Sequence, residues 1–136
     1  MGLDYASDVR GTFPFQPVDA SGVPIGVPQL PTTLPTLDEL LGLNDCSADN
    51  VHESLLALTV RPADHVYTLH AELEGMRLLP VFERLLSGWR AQKYELVSCR
   101  SLFESVNPAA LPRHRPVLGE VSGRSGPLAL QGAAIG

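Results

Sequence analysis

The sequence has 136 residues, enough for one domain with its own core, and 44% of them are hydrophobic, which excludes a disordered chain. Ten basic against fifteen acidic residues give a net charge of −5, so nucleic acid is not an expected partner. Cys46 and Cys99 stand far apart with no metal-finger spacing, which fits a reducing compartment better than a disulfide framework. The first ten residues lack a basic-then-apolar leader, and no apolar run reaches the length of a membrane span, so a soluble, cytoplasmic protein is expected. Lys93 is the only lysine. The remaining cations are arginines, which suit bidentate phosphate or carboxylate recognition, although genomic base composition accounts for the same richness.

In chain order, Leu3 to Ala6 reads as a short strand with Asp8 and Arg10 just beyond its end. An Asx turn at Asp8 closed by Gly11 is the plainer reading of that end. Six prolines fall between Pro14 and Pro35, so this stretch is extended but cannot be a central strand. Thr36 and Glu39 form a capping box that opens a short helix through Leu37, Leu40 and Leu41, stopped by Gly42. Ser47 opens a second helix reaching about Val60, with Val51, Leu55, Leu56 and Leu58 on its apolar stripe and His52 on its solvated side. Arg61-Pro62 ends it.

Val66 to Leu69 reads as a strand of apolar, aromatic and β-branched residues, and it delivers His70, Glu72, Glu74 and Gly75 in quick succession. A polar cluster at the end of an apolar strand is what an α/β enzyme places at the carboxyl edge of its sheet, though one histidine with two glutamates is also simply a wet strand exit. A third helix follows, from about Leu78 to Arg90, with Pro80 tolerated in its first turn. Glu95 to Val97 reads as another short strand, and Ser98 caps a last helix ended by Asn107-Pro108. The order strand, helix, strand, helix predicts an α/β fold with parallel strands and crossovers. Beyond it, Val117 to Val121 reads as an edge strand, and Gly123-Arg124-Ser125-Gly126 as either an anion-holding backbone nest or a flexible polar loop.

Taken together, Arg10-Gly11, Pro14-Phe15, Ser21-Gly22, the segments PTTLPTLDELL (31–41) and VYTLHAELEG (66–75), and the tail Gly119-x-x-x-Gly123-Arg124-x-Gly126 resemble one family along nearly the whole chain. It is the 4-deoxy-4-formamido-L-arabinose–phosphoundecaprenol deformylases, a branch of the NodB-type polysaccharide deacetylases. The resemblance implies residues 1–107 as the C-terminal half of an incomplete (β/α) barrel and 108–136 as a Pro/Gly-rich extension. It implies metal-dependent hydrolysis of the amide of a formylated amino-arabinose on a polyprenyl phosphate, as in lipid A modification and polymyxin resistance. His70 matches the family's acid histidine, with Asp8 expected to tune it and Asp4 the other candidate. Glu72 is expected to orient substrate, and Arg10 and Arg124 to contact phosphate.

The chain departs from the family in its metal site. It is read as having no Asp-Asp pair after a strand and no H-x-x-x-H or H-x-x-x-x-H, and His52, His65, His70 and His114 are not expected to supply the family's metal set. A divalent metal, zinc or cobalt or similar, is therefore expected for the complete family domain and none in this chain. The expectation is a C-terminal fragment, from a split gene, an interrupted gene or a mis-called start, with an N-terminal half on a separate chain as one alternative, acting in the cytoplasm or at the inner face of the inner membrane through peripheral contact. The other reading is an inactive remnant, or a sugar-lipid-binding module without the metal site.

Overall fold

The computed structural model describes residues 2–43 and 45–136. The chain mixes helix and strand and divides into two compact units, each built from separate stretches of sequence.

The first unit comprises Met1–Thr33, Val97–Val121 and Ser125–Gly136. Its sheet has three strands in the order β1 (Gln16–Pro17), β2 (Arg113–Gly119), β3 (Leu128–Ala134). β1 runs parallel to β2, and β2 runs antiparallel to β3. The proline-rich stretch supports this sheet through isolated bridges, Ala6 with Gln29, Arg10 with Thr32 and Leu130, and Phe15 with Gln29. Prolines lack the amide that a continuous ladder needs, so pairing in this stretch is broken into single bridges and the two-residue β1. Val9, Phe15, Val18 and Leu30 fill the core, and His114 meets the edges of Phe13 and Phe15 while its Nδ1 lies 2.8 Å from the Gly132 carbonyl oxygen. The helix α4 (Cys99–Glu104) begins at Ser98, whose hydroxyl accepts the Ser101 amide as the sequence predicts.

The second unit comprises Leu34–Leu96 with Ser122–Arg124. It contains α1 (Leu37–Leu41), α2 (Val51–Ala57) and α3 (Leu79–Ala91). Helical spacing puts Val81, Leu85 and Trp89 on one face of α3, where they pack with Leu34, Leu37, Val51, Leu55 and Leu78. α2 and α3 approach closely at Gly88, where an added Cβ would lie 2.4 Å from Leu56 Cδ1. A glycine inside a helix weakens its propensity, but here it is what the approach requires.

Several expectations need correction. Val66 to Leu69 joins no ladder among the described residues; Tyr67 packs instead against Trp89, ring centroids 5.3 Å apart, on the helical core. Glu95 to Val97 is likewise unpaired. The predicted parallel strands joined by crossovers are therefore replaced by the mixed β1–β2–β3 sheet. β2 starts earlier than predicted and contains Pro116, which the register shift between His114 and Pro116 accommodates. β3 was not foreseen, since LALQGAA has no β-branched residue. α2 is shorter than predicted, because Ser47 and Asn50 form a local turn, the Asn50 side chain accepting the Ser47 amide at 2.8 Å. His52 is half-buried and not fully solvated.

Candidate functional site

The residues around His70 are placed by two local devices in the second unit. The first is the capping box of α1. The Thr36 amide donates to Glu39 Oε1 at 3.2 Å, which fixes the first turn and with it Asp38. Glu39 is fully buried, and its Oε2 lies 3.3 Å from Arg124 Nε in an ion pair. Gly123 has φ +86°, and a Cβ there would fall 2.3 Å from the Glu39 carbonyl oxygen. Only glycine allows this segment to lie on the α1 backbone in that conformation.

The second device is Glu74. Its side chain is buried, Oε1 accepts the Tyr67 hydroxyl at 2.8 Å, and Oε2 accepts the His70 amide at 2.9 Å. The His70 carbonyl in turn accepts the amides of Leu73 and Glu74. One carboxylate thus closes the chain from Tyr67 to Glu74 into a fixed loop. The following turn, Leu73–Arg77, is wide, the Leu78 amide reaching back to the Leu73 carbonyl at 2.7 Å, and its backbone leaves helical geometry at Met76. These contacts hold His70 by its backbone and leave the ring half-exposed.

His70 Nδ1 lies 3.6 Å from Asp38 Oδ1, an ion-pair distance when the ring is protonated. Burial raises the Asp38 carboxyl, but the Thr36 hydroxyl, its own backbone amide, His70 and Arg124 together outweigh burial and hold it below the usual carboxylate range. The Tyr67 hydroxyl is pushed well above its ordinary value, first by burial, then by its bond to Glu74 and the charges of Glu74 and Asp38. An imidazole beside an ionised carboxylate, with one face open, is equipped to hold and deliver a proton.

The remaining candidates lie elsewhere. Asp8 belongs to the first unit, where Oδ1 accepts Gln29 Nε2 at 2.7 Å and its amide faces Gln29 Oε1 at 3.4 Å. Arg10 is also there, with Nε donating to Thr32 Oγ1 at 3.1 Å. Asp4 pairs with Arg100 at 2.8 Å, and that guanidinium lies over the Tyr5 ring. Glu72 is exposed before the wide turn, and Arg124 is engaged by Glu39. The first carboxylate met by the His70 ring within its own unit is therefore Asp38, which the sequence reading did not single out. The PTLDELL segment carried the signal, since a capping box fixes whatever stands inside its first turn. Glu74 was visible as a carboxylate four residues after His70, but its service to Tyr67 needs the loop to be seen.

His65 and His70 do stand at H-x-x-x-x-H spacing, which corrects the expectation that the chain has no such pair. The His65 ring packs edge-on to Tyr94 with centroids 5.9 Å apart, whereas the His70 ring faces Asp38. Among the described residues no three His, Cys, Asp or Glu side chains converge as a metal site.

No family model matches the sequence. The chain is 33% identical over 135 residues to the probable 4-deoxy-4-formamido-L-arabinose-phosphoundecaprenol deformylase ArnD of Shewanella sediminis (strain HAW-EB3), a match covering 98% of this chain and 42% of that protein. It is 36% identical over 85 residues to the protein of the same name in Wigglesworthia glossinidia brevipalpis, covering 62% of this chain and 29% of the relative. The chain therefore spans less than half the length of these relatives. The chain belongs to the family of these probable deformylases and corresponds to the C-terminal part of its members.

Proposed function

We propose that the chain takes part in hydrolysing the formamide of an amino-arabinose carried on undecaprenyl phosphate, with His70 as the general acid. The observation that carries this reading is the match to the Shewanella deformylase along 98% of the chain. In the reaction, water adds to the formyl carbon, the C–N bond breaks, and formate and the free amine separate. The amine nitrogen needs a proton as it leaves, and His70 is the group held ready to supply it. Such proton transfer contributes about 10²–10⁴-fold.

In this reading the chain is the C-terminal part of an incomplete (β/α) barrel. Glu72 orients the sugar, and Arg124 meets the phosphate. Arg124 does so with the edge of its guanidinium that Glu39 leaves over. Among the described residues no three His, Cys, Asp or Glu side chains converge to hold the family's divalent metal. No helix among the described residues is long and apolar enough to cross a membrane.

The same lack of a ligand set favours a second reading for the chain by itself, a sugar-lipid-binding module or remnant without turnover. The experiment joins or mixes the chain with the N-terminal part of the Shewanella relative and measures formate release from a formamido-sugar lipid. Release is expected from the reconstituted protein, and His70→Gln is expected to lower kcat with melting and KM little changed. An unchanged kcat in a folded His70→Gln protein would remove His70 from the chemistry. Substrate binding by the chain with no release in any reconstitution would establish the second reading.

A further inference from the structure

We infer that the groove at the C-terminal end of α3 is a binding site for a small soluble carboxylic acid with an apolar body. The site is separate from the His70 loop, which leads into the opposite end of α3, about 18 Å away along the helix axis.

Leu86, Arg90, Lys93, Tyr94, Glu95 and Leu96 line the groove, which has a volume of about 500 Å³. That volume suits a small molecule. Leu86 and Arg90 are four residues apart on α3 and so share one face. Beyond the helix the chain turns sharply. Lys93 has φ +72°, and the Tyr94 amide reaches back to the Trp89 carbonyl at 3.0 Å. The amides of Gln92 and Lys93 donate to the Gly88 and Arg90 carbonyls at 2.9 and 3.0 Å. These bonds occupy carbonyls at the helix end that would otherwise face an incoming anion. The Tyr94 ring is held from two sides. Its hydroxyl donates to the Thr59 carbonyl at 2.8 Å, and the His65 ring packs edge-on against it. Tyr94 with Leu86 and Leu96 therefore makes a fixed apolar wall. Arg90, Lys93 and Glu95 are exposed, and among the described residues none of their side chains makes a hydrogen bond or ion pair. Two permanent cations against one acid leave the rim positive. An apolar wall with an uncommitted guanidinium beside it matches a ligand whose body covers the wall while its carboxylate meets the fork of Arg90.

The test titrates octanoate into the full chain. Octanol and acetate probe the apolar body and the carboxylate separately, and NMR spectra locate the shifts. Octanoate is expected to move the Tyr94 ring and the Leu86 and Leu96 methyl signals saturably, and to bind at least about tenfold more tightly than either probe. Arg90→Gln combined with Lys93→Asn is expected to weaken octanoate about tenfold, the combined loss of two exposed charge contacts, and to leave octanol unaffected. Asparagine is chosen at Lys93 because it tolerates the left-handed backbone there. The absence of a saturable shift at these residues overturns the inference. So does octanol binding as tightly as octanoate, and these two results are read on the wild type alone, even if the double variant fails to fold. An unchanged octanoate affinity in the folded double variant overturns it as well. The titration is independent of His70 and of formate release.

Discussion

Glu74 is the residue on which the placement of His70 depends, and its replacement makes a quantitative test. The carboxylate is 1% exposed and accepts two hydrogen bonds, from the Tyr67 hydroxyl at 2.8 Å and the His70 amide at 2.9 Å. Glu74→Gln keeps the shape but turns an amide NH₂ toward one of the two donors. One buried donor is then unsatisfied, at a cost of about 1–3 kcal/mol. For a chain of this size that lowers Tm by roughly 3–10 °C. Glu74→Ala leaves both donors unsatisfied and opens a cavity, so its loss should be about twice as large. The loss should also be local. The His70 amide, protected in the wild type by Oε2, should exchange faster by hydrogen exchange, while the Phe15 and Gln29 amides of the first unit keep their protection. Tyr67→Phe removes the donor that Oε1 serves. In a double-mutant cycle the pair should couple by about 0.5–3 kcal/mol. A Glu74→Gln protein as stable as the wild type, with the His70 amide equally protected, would refute the account of how this loop is held.

Two further outcomes follow from the second unit. Arg124→Ala strips the counter-charge from the fully buried Glu39 and should cost about 1–3 kcal/mol in urea unfolding, whereas Arg124→Lys should recover only part of it, because lysine offers no planar fork. The stability of the chain should also fall with pH in two windows. Burial depresses the His65 ring below 6.5, more than Asp64 raises it, so the folded state favours the neutral ring. That contribution is present above the unfolded value and is lost as pH falls through 6.5 toward the folded one. Asp38, held below 3.8, contributes above that value and loses its contribution as pH falls further. Melting curves of wild type, His65→Phe and Asp38→Asn from pH 8 to pH 3 check both signs. Destabilisation of the wild type with rising pH between 5 and 7, absent in His65→Phe, would contradict the first.

What could be read from the chain was local and periodic. The capping box of Thr36 and Glu39 is present, as are the face of α3 and the Ser98 cap, because each is set by residues within one or two turns. The strands were harder to read. Val66 to Leu69 has every property of a strand, yet strand pairing needs a partner that composition does not name. In this chain its aromatic member turns onto Trp89 instead. β3 shows the reverse case, since a segment with weak propensity becomes a strand when β2 is laid beside it. The site follows the same division. His70 stood out by its motif. Its neighbour Asp38 is thirty-two positions earlier in the chain, and nothing in the intervening spacing links them.

The charge balance of the cluster explains why these residues stay together. Asp38, Glu39 and Glu74 bring three carboxylates into one small region, and Arg124 supplies one fixed cation. Burying the two glutamates would be unfavourable if each were left alone. Glu39 is neutralised by Arg124 and capped by a backbone amide, and Glu74 is satisfied by a hydroxyl and a second amide. That leaves Asp38, the most exposed of the three, with its side chain 47% accessible and the His70 ring 3.6 Å away. The two buried acids hold the framework, and the exposed one faces the ring of His70.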